Sequence, residues 1–401
     1  MPYLRRSAAE RLRFLLRTFP AVLVHGPRQC GKSTLVREEL PGWQYHDLEE
    51  PAAQARLRAD LQGFLEANTR RVVFDEAQRL PELFSALRHF LDRAASKGRY
   101  VLTGSAHPAL VRSISESLAG RVGILELTPF NNGELAGTRH APERWFWGGY
   151  PPVHALKQAR QRRAWLDGYV TNFLERDLPA LGYRMSPERL RKLWTMLTHV
   201  HGNVLNPTDL ARSLGVSHHT VNAHLDVLEG AFMIRRLQPH FANIQKRLTK
   251  SPKVYVRDTG LLHFLAGLES PSQLETWSRR GASFEGLVVE ELCALAQERF
   301  VRPYCAFWRT HAGAEVDLLI GAGGALLPIE VKLGAAIDER DLRGLRNCMA
   351  DLGLARGWVV HGGPDAHRLG QDVELVPWRA IASGEVELPL SKSRKRRKPT
   401  A

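Results

Sequence analysis

The first third of the chain is built from short apolar runs that stop abruptly at small or charged residues. Ala21–Val24 gives way to HGPRQCGKST, Val72–Phe74 stops at Asp75 and Glu76, and Tyr100–Leu102 leads into TGS. Runs this short, without polar alternation, predict strands covered on both faces, as in a parallel sheet flanked by helices. LVREEL, after the glycine-bearing stretch, has helical spacing, and MPYLRRSAAERLRF at the start reads as an amphipathic basic helix. Between Arg160 and Val200 the period lengthens: Trp165, Tyr169, Phe173 and Leu178 form an apolar stripe between charged residues. That stripe predicts helices packed on the first unit and leading to the next.

Two further patterns follow. LNPTDLARSLGVSHHTVNAHLDVLEG is punctuated as a helix-turn-helix: Pro207 suits a first helical turn, Ala211 is small at a crossing, Gly215 makes the turn, Ser217 caps the second helix and Val221 anchors it. On that helix His218, His219, Asn222 and His224 are expected on the exposed face. FMIRRLQPHFANIQKRLTKSPKVYVRD fits a wing, with Arg235, Arg236, Lys246, Arg247, Lys250 and Lys253 available to phosphates. Beyond it, the helix SFEGLVVEELCALAQE precedes two apolar strands joined by a glycine-rich turn, FWRTHAGAEVDLLIGAGGALLPIEVKLG. The expected fold class is α/β: a parallel-sheet domain over residues 1–140, a helical connector over 141–202, a winged helix-turn-helix over 203–262, a second α/β domain over 275–390 and a basic tail over 391–401.

Composition narrows the classes. The 401 residues allow two to four packed units, and 44% hydrophobic with 24% charged residues is ordinary for a soluble globular protein. No apolar stretch is long enough for a membrane helix and the start is not a signal peptide, so a cytoplasmic location without membrane contact is expected. Cys30, Cys293, Cys305 and Cys348 have neither CxxC pairing nor histidines at metal spacing, which predicts reduced thiols. The formal net charge is +14, with Lys392, Arg394, Lys395, Arg396, Arg397 and Lys398 clustered in the tail. Such an excess favours a polyanionic partner, DNA above all, although a solvated tail is the plainer role for its share.

Gly26, Pro27, Arg28, Gln29, Cys30, Gly31, Lys32 and Ser33 have the form GxxxxGKS between a strand and a helix. In that context backbone amides surround phosphates at a helix N-terminus, Lys32 reaches the β and γ phosphates, Ser33 ligates Mg²⁺, and Thr34 is a further nucleotide-binding residue. Asp75 is the second Mg²⁺ ligand and Glu76 the general base for water, while Ser105 is placed to sense the γ-phosphate. Transition-state charge calls for one more cation. Arg121 in SLAGR is the candidate, from a neighbouring subunit or as a plain salt bridge, and Arg176 is the reserve. In the last domain, Asp317 with Glu330 and Lys332 forms a D…ExK pattern. Asp317 and Glu330, with Glu285 from the preceding helix, are candidate ligands of a divalent cation beside Lys332. Glu315 is expected on the other face, solvated.

GPRQCGKSTL, VVFDEAQRL, LTGSAHPAL, SLAGR and LTPFNNGEL, in this order, resemble bacterial and archaeal AAA-type ATPases with a DUF4143 C-terminal region, and GGYPPV with YVTNFLERDL resembles the opening of that region. One departure is Cys30, where the family usually carries a small aliphatic residue; a small apolar substitute is the expected role, with a redox-sensitive thiol facing the phosphates as the alternative. The resemblance implies an AAA-like P-loop domain and a restriction-endonuclease-like, PD-(D/E)xK-type C-terminal domain, with ATP and Mg²⁺ as cofactors. The function expected is an ATP-hydrolysing, DNA-binding homo-oligomer whose nucleotide state controls DNA engagement, with phosphodiester cleavage left open. The alternative is a regulatory or signalling ATPase that binds a protein partner and whose nuclease-like acids are inert.

Overall fold

The computed structural model describes residues 3–93, 96–105, 118–180, 182–183, 185–240 and 251–390, with the side chains of Arg93 and Ser105 excepted. Lys246, Arg247, Lys250, the tail cations and the Ser105 side chain therefore lie outside the described residues. The first sheet joins β1 (Ala21–Gly26), β2 (Gln44–Asp47), β3 (Val72–Asp75), β4 (Tyr100–Ser105) and β5 (Val122–Glu126) in the order β2-β3-β4-β1-β5. Every pairing in it is parallel.

Both faces of β1 are covered, which is why its sequence does not alternate. Ala21 and Leu23 pack with Leu83, Phe84 and Leu87 of the helix Glu82–Arg93. Val22 and Val24 pack with Leu12 and Leu15 of the first helix, Ala8–Thr18, and with Leu35 and Val36 of the helix Lys32–Glu39. Each of these valine, leucine and phenylalanine side chains contributes about 1.5–3 kcal/mol on burial. The polar residues are thereby driven to the strand ends. Parallel registry brings Gly26 beside Ser105 and Asp47 beside Asp75 on one edge.

The connector and the helix-turn-helix share one core. Phe173, Leu193 and Trp194 of the first pack with Leu210, Val221, Leu225 and Leu228 of the second. Helix Pro207–Leu214 is capped by the Asn206 side chain and ends at Gly215, whose φ is +64°. Helix His218–Gly230 is capped by Ser217, which accepts from Thr220 N at 3.1 Å. An antiparallel pair follows, β6 (Ile234–Leu237) with β7 (Lys253–Val256). In the connector the helix Ala159–Asn172 runs into a π-helical turn at Phe173–Asp177.

The C-terminal sheet contains β8 (Tyr304–Arg309), β9 (Glu315–Ala322), β10 (Ala325–Lys332), β11 (Gly357–His361), β12 (His367–Leu369) and β13 (Val373–Pro377), in the order β12-β13-β11-β10-β9-β8. Helix Arg280–Arg299 covers one face through Val288 and Leu292 on Leu318, Ile320 and Ile329. Helix Arg343–Leu352 covers the other through Leu345 and Cys348 on Val316 and Val359.

Because the connector and the helix-turn-helix share a core, Leu225→Ala is expected to cost about 2–5 kcal/mol and to loosen both together. Hydrogen exchange should show faster exchange in Pro187–His199 as well as in His218–Gly230; protection retained in the former would contradict a common core.

Candidate nucleotide-binding site

The turn after β1 is shaped by backbone that favours glycine. Gly26 has φ +155°, and a Cβ there would stand 2.1 Å from the carbonyl oxygen of Leu127. Gly31 has φ +101° and Gln29 φ +60°. Other parts of the chain hold the loop from outside. Arg6, buried, donates to Cys30 O at 2.9 Å and Thr128 O at 2.6 Å while pairing with Glu134 at 3.0 Å. Arg28 pairs with Asp177 and, at 3.6 Å, with Glu49. The Lys32 ammonium points into the loop, donating to Gly26 O at 3.2 Å and Pro27 O at 2.9 Å. Phosphate oxygens would compete for those same donors.

Cys30 contributes backbone only. Its side chain is buried with Val22, Val24 and Leu35, and burial pushes its thiol up from the usual range. The thiol thus packs into the apolar cluster as a small hydrophobic side chain would.

The acids sit on the neighbouring strand. Asp75 is buried and accepts from the Thr103 hydroxyl on one oxygen and the Tyr45 hydroxyl on the other. Burial, followed by the Asp75 carboxylate, holds the Tyr45 hydroxyl protonated, and Ser33 lies near it. Tyr45 is thus bound to Asp75 and neighbours Ser33, at the start of the helix Lys32–Glu39. An alcohol and a carboxylate oxygen there suit Mg²⁺, which takes oxygen ligands and keeps several waters. Glu76 bends the chain away from the strand with φ +52°; its N–H donates to Thr103 Oγ1 at 3.1 Å and its carboxylate accepts from Gln78. A left-handed non-glycine residue costs roughly 1–3 kcal/mol and is concentrated at functional sites. Tyr45, Thr103 and Arg6 were not singled out from the sequence.

The two candidate cations separate. Arg121 precedes β5, and its carbonyl accepts from Ala21 N at 3.3 Å, which puts it at the amino edge of the sheet, opposite the loop. There it pairs with Asp92. Arg121 therefore does not serve its own chain's phosphate loop. Arg176, on the π-helical turn, lines a cavity of about 400 Å³ together with Arg28, Gln29, Trp165, Tyr169 and Asp177.

Residues 18–136 match an AAA domain, residues 138–272 a domain of unknown function, DUF8612, and residues 280–381 a domain of unknown function, DUF4143. An uncharacterised protein of Mycobacterium tuberculosis, Rv2008c, and one of Mycobacterium bovis, Mb2031c, are each 42% identical over 387 residues, covering 96% of this chain and 86% of theirs. The chain belongs to the family of AAA-domain P-loop ATPases that carry a DUF4143 region. Membership implies nucleotide binding, which in this family typically comes with Mg²⁺. GGYPPV and YVTNFLERDL fall in the DUF8612 match, so they do not open the DUF4143 region. Among solved structures, a Walker-type ATPase of Pyrococcus abyssi aligns with a TM-score of 0.46 at 17% identity, over 66% of this chain and 98% of that one. A signal-transduction ATPase with a tetratricopeptide repeat sensor, from Pyrococcus horikoshii, aligns with a TM-score of 0.28 at 12% identity, over 73% and 48%. No helix among the described residues of this AAA-family chain is long and apolar enough to cross a membrane.

In the DUF4143 region the structure brings Glu285, Asp317, Glu330 and Lys332 together and adds two residues. Glu315, two positions before Asp317, shares its face, as strand alternation requires. It was expected on the opposite face, and instead it stands 2.5 Å from the Lys253 ammonium. The same ammonium lies 3.1 Å from Glu285 and 2.9 Å from Asp317. The other Asp317 oxygen accepts from Val331 N at 3.0 Å, where β9 and β10 diverge. Lys332 pairs with Glu330 at 2.9 Å, and the second Glu330 oxygen is buried with no hydrogen-bond partner. Burial, then Asp317 beside it, pushes Glu330 up from the carboxylate range; burial, again with Asp317, does the same to Glu285. Among the described residues no group of three or more His, Cys, Asp or Glu has the arrangement of a metal site. Of the expected metal set, Glu285 and Asp317 meet the Lys253 ammonium, and Glu330 meets Lys332.

The helix-turn-helix also departs from expectation. His218 and His219 are exposed and Asn222 is half-buried, but His224 is buried, since it follows Val221 by three residues on the core side of the helix. Arg235 pairs with Glu290 at 2.5 Å, and Arg236 with Asp226 at 2.7 Å and with Glu229. With Lys253 buried among acids, these three cations are engaged within the chain rather than offered to a phosphate backbone.

Iodoacetamide at neutral pH is expected to leave Cys30 unmodified in the folded chain, because a buried, protonated thiol is a poor nucleophile. Peptide mass mapping reads this, and stoichiometric Cys30 labelling without unfolding would contradict the placement.

Proposed function

We propose that this chain is an Mg²⁺-dependent ATP hydrolase, working in the cytoplasm, whose nucleotide state sets the arrangement of its C-terminal half. The observation that carries the reading is the loop that encloses the Lys32 ammonium on the same sheet edge as Asp75, whose two oxygens are bound by the Thr103 and Tyr45 hydroxyls. Lys32 and the loop amides bind the phosphates. Ser33 and Asp75 hold Mg²⁺, which neutralises developing phosphate charge, and Glu76 takes the proton of the attacking water. Arg176 is assigned the remaining transition-state charge, because it shares a cavity with Arg28 and Gln29 of the loop. Arg121 could reach phosphates only from a neighbouring copy of the chain in a homo-oligomer.

Contacts leading out of the loop strand support the regulatory half of the reading. His25, next to Gly26, meets Phe232 edge-on at 5.2 Å, and Arg257 lies over the same ring at 5.1 Å. Arg257 then bridges Glu126 of β5 at 2.6 Å and Glu290 of the DUF4143 region at 2.9 Å. Burial pushes Glu126 up, but Arg257 and Arg235 outweigh it and hold the carboxyl at about 2.

A second reading is that the C-terminal half engages DNA. The exposed helix start at Ser217, His218 and His219 and the net charge of +14 favour it. A protein partner is the competing occupant, favoured by the engagement of Arg235, Arg236 and Lys253 in ion pairs.

Three substitutions test the hydrolase. Glu76→Gln is expected to keep ATP binding and lower turnover about 10²–10⁴-fold, Lys32→Ala to lose binding, and Arg176→Ala to lower turnover with little change in ATP affinity. Phosphate release and equilibrium ATP binding read the two effects, and unchanged turnover in Glu76→Gln would remove the assignment of the base. For DNA, binding of a duplex that weakens with rising salt, and weakens further in a His218→Ala, His219→Ala double variant, is the expected result. Absence of binding at low salt would favour the protein partner.

A further inference from the structure

The row Lys253, Tyr255 and Arg257 occupies alternate positions of one strand and its continuation, while Val254 and Val256 between them belong to the core shared by the connector and the helix-turn-helix. Alternation therefore turns 253, 255 and 257 toward the DUF4143 region. Lys253 meets Glu285, Glu315 and Asp317, the Tyr255 hydroxyl donates to Glu285 at 2.6 Å, and Arg257 meets Glu290. We infer that the Lys253 ammonium is the resident cation of this carboxylate cluster, that it excludes a divalent metal, and that the DUF4143 region is consequently a docking unit locked to β7 rather than a phosphodiesterase.

Geometry and charge both exclude the metal. Mg²⁺ must come within about 2.0–2.1 Å of its oxygens, and the oxygens of Glu285, Glu315 and Asp317 that converge here do so on a nitrogen 2.5–3.1 Å away. A divalent ion at the same point would overlap the ammonium and repel it. Nor can Lys253 readily leave. It is 1% exposed, lies 5.8 Å from the centre of the Phe307 ring and starts a strand paired with β6. Withdrawal would leave a cluster of carboxylates in a confined space with their cation gone, and a buried charge stripped of its partner is strongly unfavourable. Asp317 has no idle oxygen, since its second one is bound by the Val331 amide. Lys332, the lysine of the D…ExK pattern, is neutralised by Glu330 and is not the residue inside the cluster.

The inference does not depend on ATP chemistry, so its test omits nucleotide. Mn²⁺ is titrated calorimetrically into the full chain, into Ser33→Ala and into Asp317→Asn, and the same proteins are incubated with supercoiled plasmid and Mn²⁺. The wild type is expected to show no Mn²⁺ site that survives Ser33→Ala and disappears in Asp317→Asn, and no Asp317-dependent nicking. Either signal would overturn the inference. In Lys253→Ala, one Mn²⁺ site per chain is expected to appear and to vanish again on adding Asp317→Asn; a folded Lys253→Ala chain that binds no Mn²⁺ would equally overturn it. Should that variant fail to fold, the wild-type and Asp317→Asn titrations decide alone.

Discussion

Parallel pairing in the first sheet is the constraint from which the rest of the molecule is organised. With β4 lying between β1 and β3, the phosphate loop and Asp75 leave the same edge of the sheet, separated by the strand that carries Thr103. Thr103 spans that gap, accepting from the Glu76 amide and donating to Asp75. An antiparallel placement of either strand would send lysine and acid to opposite edges. The loop conformation, the bend at Glu76 and the outer struts from Arg6 and Arg28 are all refinements of that one arrangement.

The second organising force is charge taken out of water. Buried carboxylates in the C-terminal half are tolerated because cations from β7 and the residue after it enter among them: Lys253 in one cluster and Arg257 in the other. Breaking such a pair costs more than forming it yields, because the orphaned charge remains buried. The network therefore fixes which surfaces stay together, and Arg257 carries the connection on to Glu126 at the end of β5, the strand beside the phosphate loop.

What could be read in advance follows the distance over which each signal acts. GxxxxGKS and the adjacent acids lie within a few residues of one another, so their chemistry is local and the sequence displays it. The caps at Asn206 and Ser217 and the turn at Gly215 are legible for the same reason. Some missed placements were nonetheless derivable: a residue preceding a strand parallel to β1 must fall at the edge opposite the loop, which is the position of Arg121. Glu315 and Asp317, two apart, had to share a face, and His224, three residues from the anchor Val221, had to join the core. Partners distant in sequence are a different matter. Nothing near Lys253 or Arg235 announces Asp317 or Glu290, and a basic run reads as a phosphate-binding wing until the fold brings acids to it. KVYV is buried throughout, and a lysine in such a strand needs carboxylates, but that burial is visible only in the folded chain.

Calorimetric binding of ATP with and without Mg²⁺, to the wild type and to Asp75→Asn, tests the account most directly. If loop, serine and acid form one site, the wild type binds ATP at least 10-fold more tightly with Mg²⁺ present, about 1.4 kcal/mol, and Asp75→Asn loses that dependence while keeping its fold. Equal affinity with and without Mg²⁺ in the wild type, or the same Mg²⁺ effect in both proteins, would contradict the arrangement.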